Sequence, residues 1–225
     1  MRIAFDLDGV LADMDRELGR RADDLFRAGP PASNVDDRDA ADEELPYSRL
    51  QLTARQQSRL WRQVHDVNNF WETLRETEAG IVGRIAKAAD DYRWEVIFLT
   101  SRPACAGDTV QRQTQRWLES NGFRSPSVFV VRQSRGKIAA ALELDVVVDD
   151  RLENCLDVVA DSRARAMLVW RDEMERLPAA AKAGMVVAGT AGECVDLLIQ
   201  LSDTPPAGLV EKFKRLLGMK AAALD

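Results

Sequence analysis

Residues Ile3-Ala4-Phe5 form a short apolar run that ends in Asp6-Leu7-Asp8-Gly9. A run with no alternating polar face suits a strand buried on both sides, and hence a parallel sheet covered by helices. In open sheets of that kind ligands bind beyond the carboxyl ends of the strands, where Asp6 and Asp8 are delivered. Gly9 lets the chain turn sharply there and bring backbone N–H groups close to an anion. An Asp-x-Asp doublet alone says little. With 23 Asp among 225 residues, chance supplies about two of them. Asp13-x-Asp15 and Asp37-x-Asp39 read as such chance pairs, solvated carboxylates on a helix or loop. Asp6 and Asp8 differ in following an apolar strand, and two later strands end in the same way.

The order of elements follows from periodicity. Asp13 is placed to cap a helix with Met14, Leu18, Ala22 and Leu25 on one face, stopping near Gly29-Pro30-Pro31. Residues 34–44 hold six acids and one Arg and read as a loop. Thr53 caps a second helix through Leu60, Trp61 and Val64, and Asn69 to Leu74 forms a short turn. Residues 14–78 thus read as a small helical unit inserted after the first strand of a core made of residues 1–13 and 79–225. In that core a helical stripe of Ile81, Ile85 and Ala88 precedes a strand from Trp94 to Leu99, which ends in Thr100-Ser101-Arg102. A helix through Val110, Thr114 and Trp117 is closed by Asn121-Gly122. Further strands are expected at 127–131, at 144–148 ahead of Asp149-Asp150-Arg151, at 164–170 and at 185–187, with Lys137 opening a helix and a later helix at 190–201. Strands alternating with helices specify a Rossmann-like parallel sheet with helices on both faces. A last amphipathic helix carrying Leu209, Phe213 and Leu217 is expected to dock on the core, with a homodimer contact as the alternative.

The net charge of −6 and pI near 5.1 argue against general binding to a polynucleotide or an anionic membrane, but not against a small phosphorylated substrate. No apolar run is long enough to span a bilayer, and residues 1–20 lack an apolar signal core, so a cytoplasmic protein is expected. Cys105, Cys155 and Cys194 match no metal spacing and read as packing residues. The single His65 has no Ser or Cys motif pointing to it, which excludes a His-based triad or zinc site from the expectation.

Three strand ends therefore carry oxygen ligands: Asp6/Asp8, Thr100/Ser101 and Asp149/Asp150. Carboxylates crowded in one cleft repel each other, and a hard divalent cation resolves the conflict, magnesium being usual beside phosphate. Lys137 and the Thr100 hydroxyl would then hold an anionic phosphoryl group.

With DLDGVL at 6–11, TSR at 100–102, Lys137 and DDR at 149–151, the chain resembles the haloacid dehalogenase (HAD) superfamily of phosphatases. The order differs from that of a receiver domain, where the acidic pair and the phosphorylated Asp lie on different strands. The resemblance implies that Asp6 attacks phosphorus to form an aspartyl-phosphate, and that Asp8 protonates the leaving oxygen and then activates water. It implies that Thr100 and Lys137 bind the phosphoryl oxygens, with Ser101 beside them, and that Mg2+ is held by Asp6, the Asp8 carbonyl and Asp149 or Asp150. Arg102 is either a substrate ligand or a surface ion pair. Residues 14–78 would be the cap. Phe70 to Leu74, TSRP at 100–103 and DDR also look like the cytosolic 5′-nucleotidase and deoxynucleotidase branch, which suggests nucleoside monophosphates stacked on Phe70 and Trp71. Those rings could equally pin the cap to the core. A sugar or organic-acid phosphatase, and a non-catalytic phospho-ligand-binding or signalling protein, are the other readings.

Overall fold

Along each central strand, residues two apart enter the same apolar layer. Ile3 and Phe5 of β1 (Arg2–Asp6), Val96 and Phe98 of β2 (Glu95–Thr100), Val146 and Val148 of β4 (Val146–Asp149) and Met167 and Val169 of β5 (Arg165–Val169) line one face. Ala4, Leu99, Val147, Ala166 and Leu168 line the other. Both faces are therefore buried, each large side chain contributing roughly 1.5–3 kcal/mol, and the strands have no polar side to show. With β3 (Ser127–Val130) and β6 (Val186–Ala188) they form a wholly parallel sheet in the order β3-β2-β1-β4-β5-β6. The computed structural model describes residues 1–26, 47, 50–173, 176–179 and 184–203.

The first face is covered by α3 (Ile81–Tyr92), α4 (Val110–Ser120) and α7 (Ala191–Ser202), through Ile85, Trp117 and Leu198 among others. The second is covered by α5 (Arg135–Ala141) and α6 (Leu152–Asp161). This is the doubly covered α/β architecture expected. Among the described residues no helix is long and apolar enough to cross a membrane. The acidic stretch 34–44 and the expected last helix lie outside the described residues.

Between β1 and α3 the described residues include α1 (Met14–Phe26), α2 (Ala54–Asp66) and a 3-10 turn (Phe70–Glu72). Asp13 accepts the Arg16 N–H at the start of α1, and Thr53 with Gln56 closes a reciprocal capping box on α2. The chain leaves and re-enters the core along paired segments: Asp13 N–H donates to the Arg75 carbonyl at 2.9 Å, and Thr77 N–H to that of Leu11 at 2.8 Å. A second fastening joins the insertion to the loop after β2. There the Ala106 N–H donates to His65 O at 2.7 Å and the Asn69 N–H to Ala106 O at 2.8 Å. Leu18, Leu60, Val64, Phe70 and Trp71 share one continuous apolar cluster with the sheet.

Candidate active site

Chain order reverses at β1, which sits between β2 and β4. Asp6 lies opposite Leu99 and Phe5 opposite Val148, so Thr100 and Asp149 stand one step further on, beside Asp6. Beyond these ends lies a cleft of about 840 Å³, with Asp6, Asp8, Thr100, Ser101, Arg102 and Asp150 on its floor. Gly9 turns there at φ 87°, and a Cβ at that position would run into the Asp150 carboxylate. Glycine is required on both counts.

The two acids after β4 have different surroundings. Asp149 is fully buried and saturated. Its Oδ1 accepts the Arg151 N–H at 2.9 Å and Asn154 Nδ2 at 3.0 Å; its Oδ2 accepts Asn154 Nδ2 at 2.9 Å and Arg135 Nε at 3.4 Å. Asp150 points into the cleft, and its buried Oδ1 has no hydrogen-bond partner. Burial, and then Asp149, push the Asp150 carboxyl up to about 7. The Asp6 carboxyl is likewise raised well above the ordinary range, by burial first and then by Asp149. Cys194 is pushed up to about 12 by burial and Cys155 is also raised, so both behave as inert packing groups.

The cation expected at Lys137 is a correction. Lys137 is the third residue of α5, exposed to solvent, and does not line the cleft. The guanidinium of Arg135, two residues earlier, is buried there instead: its Nη2 donates to Asp6 Oδ1 at 2.6 Å. Gly136 explains the placement. A Cβ on it would collide with the Asp157 carbonyl of α6, so the close approach of the two helices depends on its absence. With α5 pressed against α6, Arg135 faces the strand ends and Lys137 faces water. The signal available in sequence was Gly136, directly before the residue expected to open the helix.

Arg102 lines the cleft and is not a surface residue. It is buried beside Asp8, with Nε 3.0 and 2.9 Å from the two Asp8 oxygens, Nη2 2.7 Å from Oδ1, and Nη1 3.1 Å from Thr114 Oγ1. The Trp71 ring lies 4.8 Å from its central carbon. Thr100, 1% exposed, accepts the Arg102 N–H at 3.3 Å through its Oγ1.

Of the two rings expected to line the pocket or pin the cap, Trp71 borders the cleft and Phe70 does not. Phe70 and Trp71 are both fully buried, edge to face at 4.9 Å. Phe70 packs under Arg21 and does not line the cleft. Trp71 donates Nε1–H to the Pro103 carbonyl at 3.0 Å and borders the cleft beneath Arg102. The half-buried ring facing the cleft is Trp61 of α2, which in sequence is hidden within a core-like stripe.

The donor set suits a hard divalent cation, on the strength of the orphaned Asp150 oxygen and the mutually raised carboxyls. Among the described residues no three His, Cys, Asp or Glu side chains form a ready cage. With Asp149 saturated, Asp6, Asp150 and the Asp8 carbonyl remain. Such a sparse set fits magnesium, which keeps several waters and takes one or two carboxylates beside a substrate phosphate.

No family model matches the chain, and no curated protein is significantly similar to it. Solved structures do match. An HAD family hydrolase from Deinococcus radiodurans R1, described with bound phosphate and sodium, is 12% identical, with 88% of this chain and 95% of that one covered and a TM-score of 0.53. A haloacid dehalogenase-like family hydrolase from Xanthomonas campestris is 14% identical over 89% and 97% of the two chains, with a TM-score of 0.47. The Deinococcus likeness shows that the fold is that of HAD-type hydrolases.

Proposed function

We propose that this chain, built on the fold of HAD-type hydrolases, is a magnesium-dependent phosphomonoester hydrolase acting through an aspartyl-phosphate on Asp6. One observation carries the reading. Asp6 lines the cleft with its Oδ1 held by Arg135 at 2.6 Å, and no described residue hydrogen-bonds its Oδ2, which leaves that oxygen available as a nucleophile. Arg135 neutralises charge on Asp6 and, as the phosphoryl group transfers, on the oxygens beside it. Thr100 Oγ1 adds a hydrogen bond to those oxygens. Mg2+, held by Asp6, the Asp8 carbonyl and Asp150, would lower the repulsion between Asp6 and the incoming dianion. Asp8 delivers a proton to the leaving oxygen and later takes one from the attacking water. Arg102 orients the Asp8 carboxylate through both of its oxygens, and one of these contacts opens when Asp8 carries the proton it donates. Asp149 organises Arg135 and Asn154 rather than binding the metal.

All the groups this chemistry needs are present, which favours an enzyme over a non-catalytic phospho-ligand-binding protein. Residues 14–78 are the cap that selects the leaving group, over a core of residues 1–13 and 79–225. A nucleoside monophosphate fits through Trp61, which offers the cleft a flat face that Phe70 and Trp71 do not. An organic-acid or sugar phosphate is favoured by the arginines at the cleft mouth.

The test is phosphate release from a phosphomonoester panel with Mg2+ and with chelator, for wild type and Asp6→Asn. Turnover is expected only with the metal, and Asp6→Asn is expected to lose it entirely while keeping the fold, since an amide is a very poor nucleophile. Wild-type-like turnover by Asp6→Asn would rule out the mechanism.

A further inference from the structure

Three exposed guanidinium groups line the cleft in addition to the two buried arginines of its floor, and only Arg171 also acts on a floor carboxyl, that of Asp150. Arg16 comes from the first turn of α1, Arg151 directly follows the Asp149/Asp150 pair, and Arg171 follows β5 by two residues. All three are exposed. No described residue accepts a hydrogen bond from the Arg16 guanidinium. Arg151 comes only within 4.0 Å of Glu153, both side chains lying in solvent, a pair that holds it weakly. Arg171 gives one N–H to the Gly9 carbonyl, which anchors it over the Asp6–Gly9 loop with the rest of its planar fork open.

Their placement differs from that of ordinary surface arginines. Two arrive from the ends of adjacent parallel strands and one from the insertion, so three separate elements bring cations to one opening. Acids stand near them as well: Asp13 and Asp15 line the same cleft, Asp13 accepting the Arg16 backbone N–H, Glu153 lies 4.0 Å from Arg151, and Arg171 offsets charge on the Asp150 carboxyl. On the floor, Arg102 and Arg135 are engaged by Asp8 and by Asp6 with Asp149. A magnesium ion and the dianion of a bound phosphoryl group would leave that floor no more positive than before. The mouth arginines are therefore in excess of what one phosphoryl group uses.

We infer that the cleft takes a phosphomonoester whose leaving group carries a second anionic group, a carboxylate or another phosphate, received by Arg16, Arg151 and Arg171. The inference rests on the hydrolase reading above and names the substrate class for that site. Guanidinium forks match the planar, bidentate geometry of a carboxylate or phosphate, and they reach it without desolvating a buried charge. The six acids of residues 34–44, a charge that by itself argues against a second anion, lie outside the described residues.

Three esters test the idea with Mg2+ present: phosphoglycolate, propane-1,3-diol bisphosphate and the uncharged-tail analogue propyl phosphate. For wild type, kcat/KM on at least one charged ester should exceed that on propyl phosphate by about tenfold or more, the scale of one charge-assisted hydrogen bond. Which charged ester leads tells carboxylate from phosphate. The combined Arg16→Gln, Arg151→Gln, Arg171→Gln variant should bring that ratio to near unity, its fold checked by circular dichroism. A wild-type ratio near one, or a ratio unchanged in the triple variant, overturns the inference. Equilibrium binding of the same esters to Asp6→Asn separates the two readings if no ester turns over. In that case the hydrolase reading fails by itself. Tighter binding of a charged ester, lost when the three glutamines are added, keeps the anion site, and equal binding of all three esters overturns it.

Discussion

Arg135 and Lys137 stand two residues apart at the start of α5, yet one is buried against Asp6 and the other is in water. Buried carboxylates without a counter-charge shift toward their neutral form, and a neutral Asp6 is no nucleophile. Arg135 opposes that shift, lowering the carboxyls of both Asp6 and Asp149 against burial. Arg135→Ala is therefore expected to reduce kcat/KM by roughly 10²–10³-fold, the range for removing one preorganised donor at a developing charge. Lys137→Ala should stay within about threefold of wild type. Steady-state kinetics on one phosphomonoester with Mg2+ distinguishes them, and equal losses at the two positions would show that α5 presents a different face in solution.

At the scale of elements, the pair α5 and α6 decides what enters the site. Gly136 allows α5 to lie against the Asp157 carbonyl, where no side chain fits. In an isolated helix Ala would be preferred to Gly by about 1 kcal/mol. Here the added methyl meets backbone and the Asp161 Cβ, and overpacking of that kind costs about 1–3 kcal/mol. Gly136→Ala should thus lower the unfolding midpoint in urea rather than raise it, and should weaken turnover because Arg135 moves with its helix. A midpoint above wild type would show that α5 has room to shift. The insertion is an element of another kind. Stitched to residues 11–13 at one end and to the loop after β2 at the other, it shares its apolar interior with the sheet. It positions Trp61 and Arg16 as part of the same packed body.

For the whole molecule, the carboxylate cluster sets how stability depends on pH. Asp150, raised from 3.8 to about 7, and Asp6, raised in the same direction, bind protons more tightly folded than unfolded. Their contribution to stability is thus present at low pH and is lost as the pH rises from the unfolded carboxyl range toward 7. In excess chelator the Tm should fall across that window. The Asp150 shift alone corresponds to roughly 4 kcal/mol by pH 7, since each tenfold change in proton affinity between the folded and unfolded chain corresponds to about 1.4 kcal/mol. Added Mg2+ should restore most of the loss above pH 6, because a bound cation stabilises the ionised pair. Calorimetry in citrate-free buffers with and without metal reads this directly, and a Tm that rises with pH in chelator would contradict it.

What the sequence by itself determined is local. Apolar runs such as Ile3–Phe5 and Val146–Val148 have no face to offer water, so they must be interior strands of a parallel sheet. The oxygen-bearing residues directly after them must then emerge at its carboxyl edge. Asp6, Asp8, Thr100 and Asp150 were legible for that reason, since a strand end carries its neighbours to a known place. Tertiary structure decided everything that depends on how a helix or a turn is rotated. Arg135 rather than Lys137 enters because Gly136 seats α5 on α6. Asp149 is withdrawn because Asn154 of α6 and the backbone N–H of Arg151 just before it saturate it, which leaves the unpaired oxygen to Asp150. Trp61 faces the cleft while Phe70 is withdrawn from it and Trp71 only borders it under Arg102, because the turn carrying them is tied to Pro103 and Gln113. A side chain's type is written in the chain, but its direction on a helix is set by what that helix packs against.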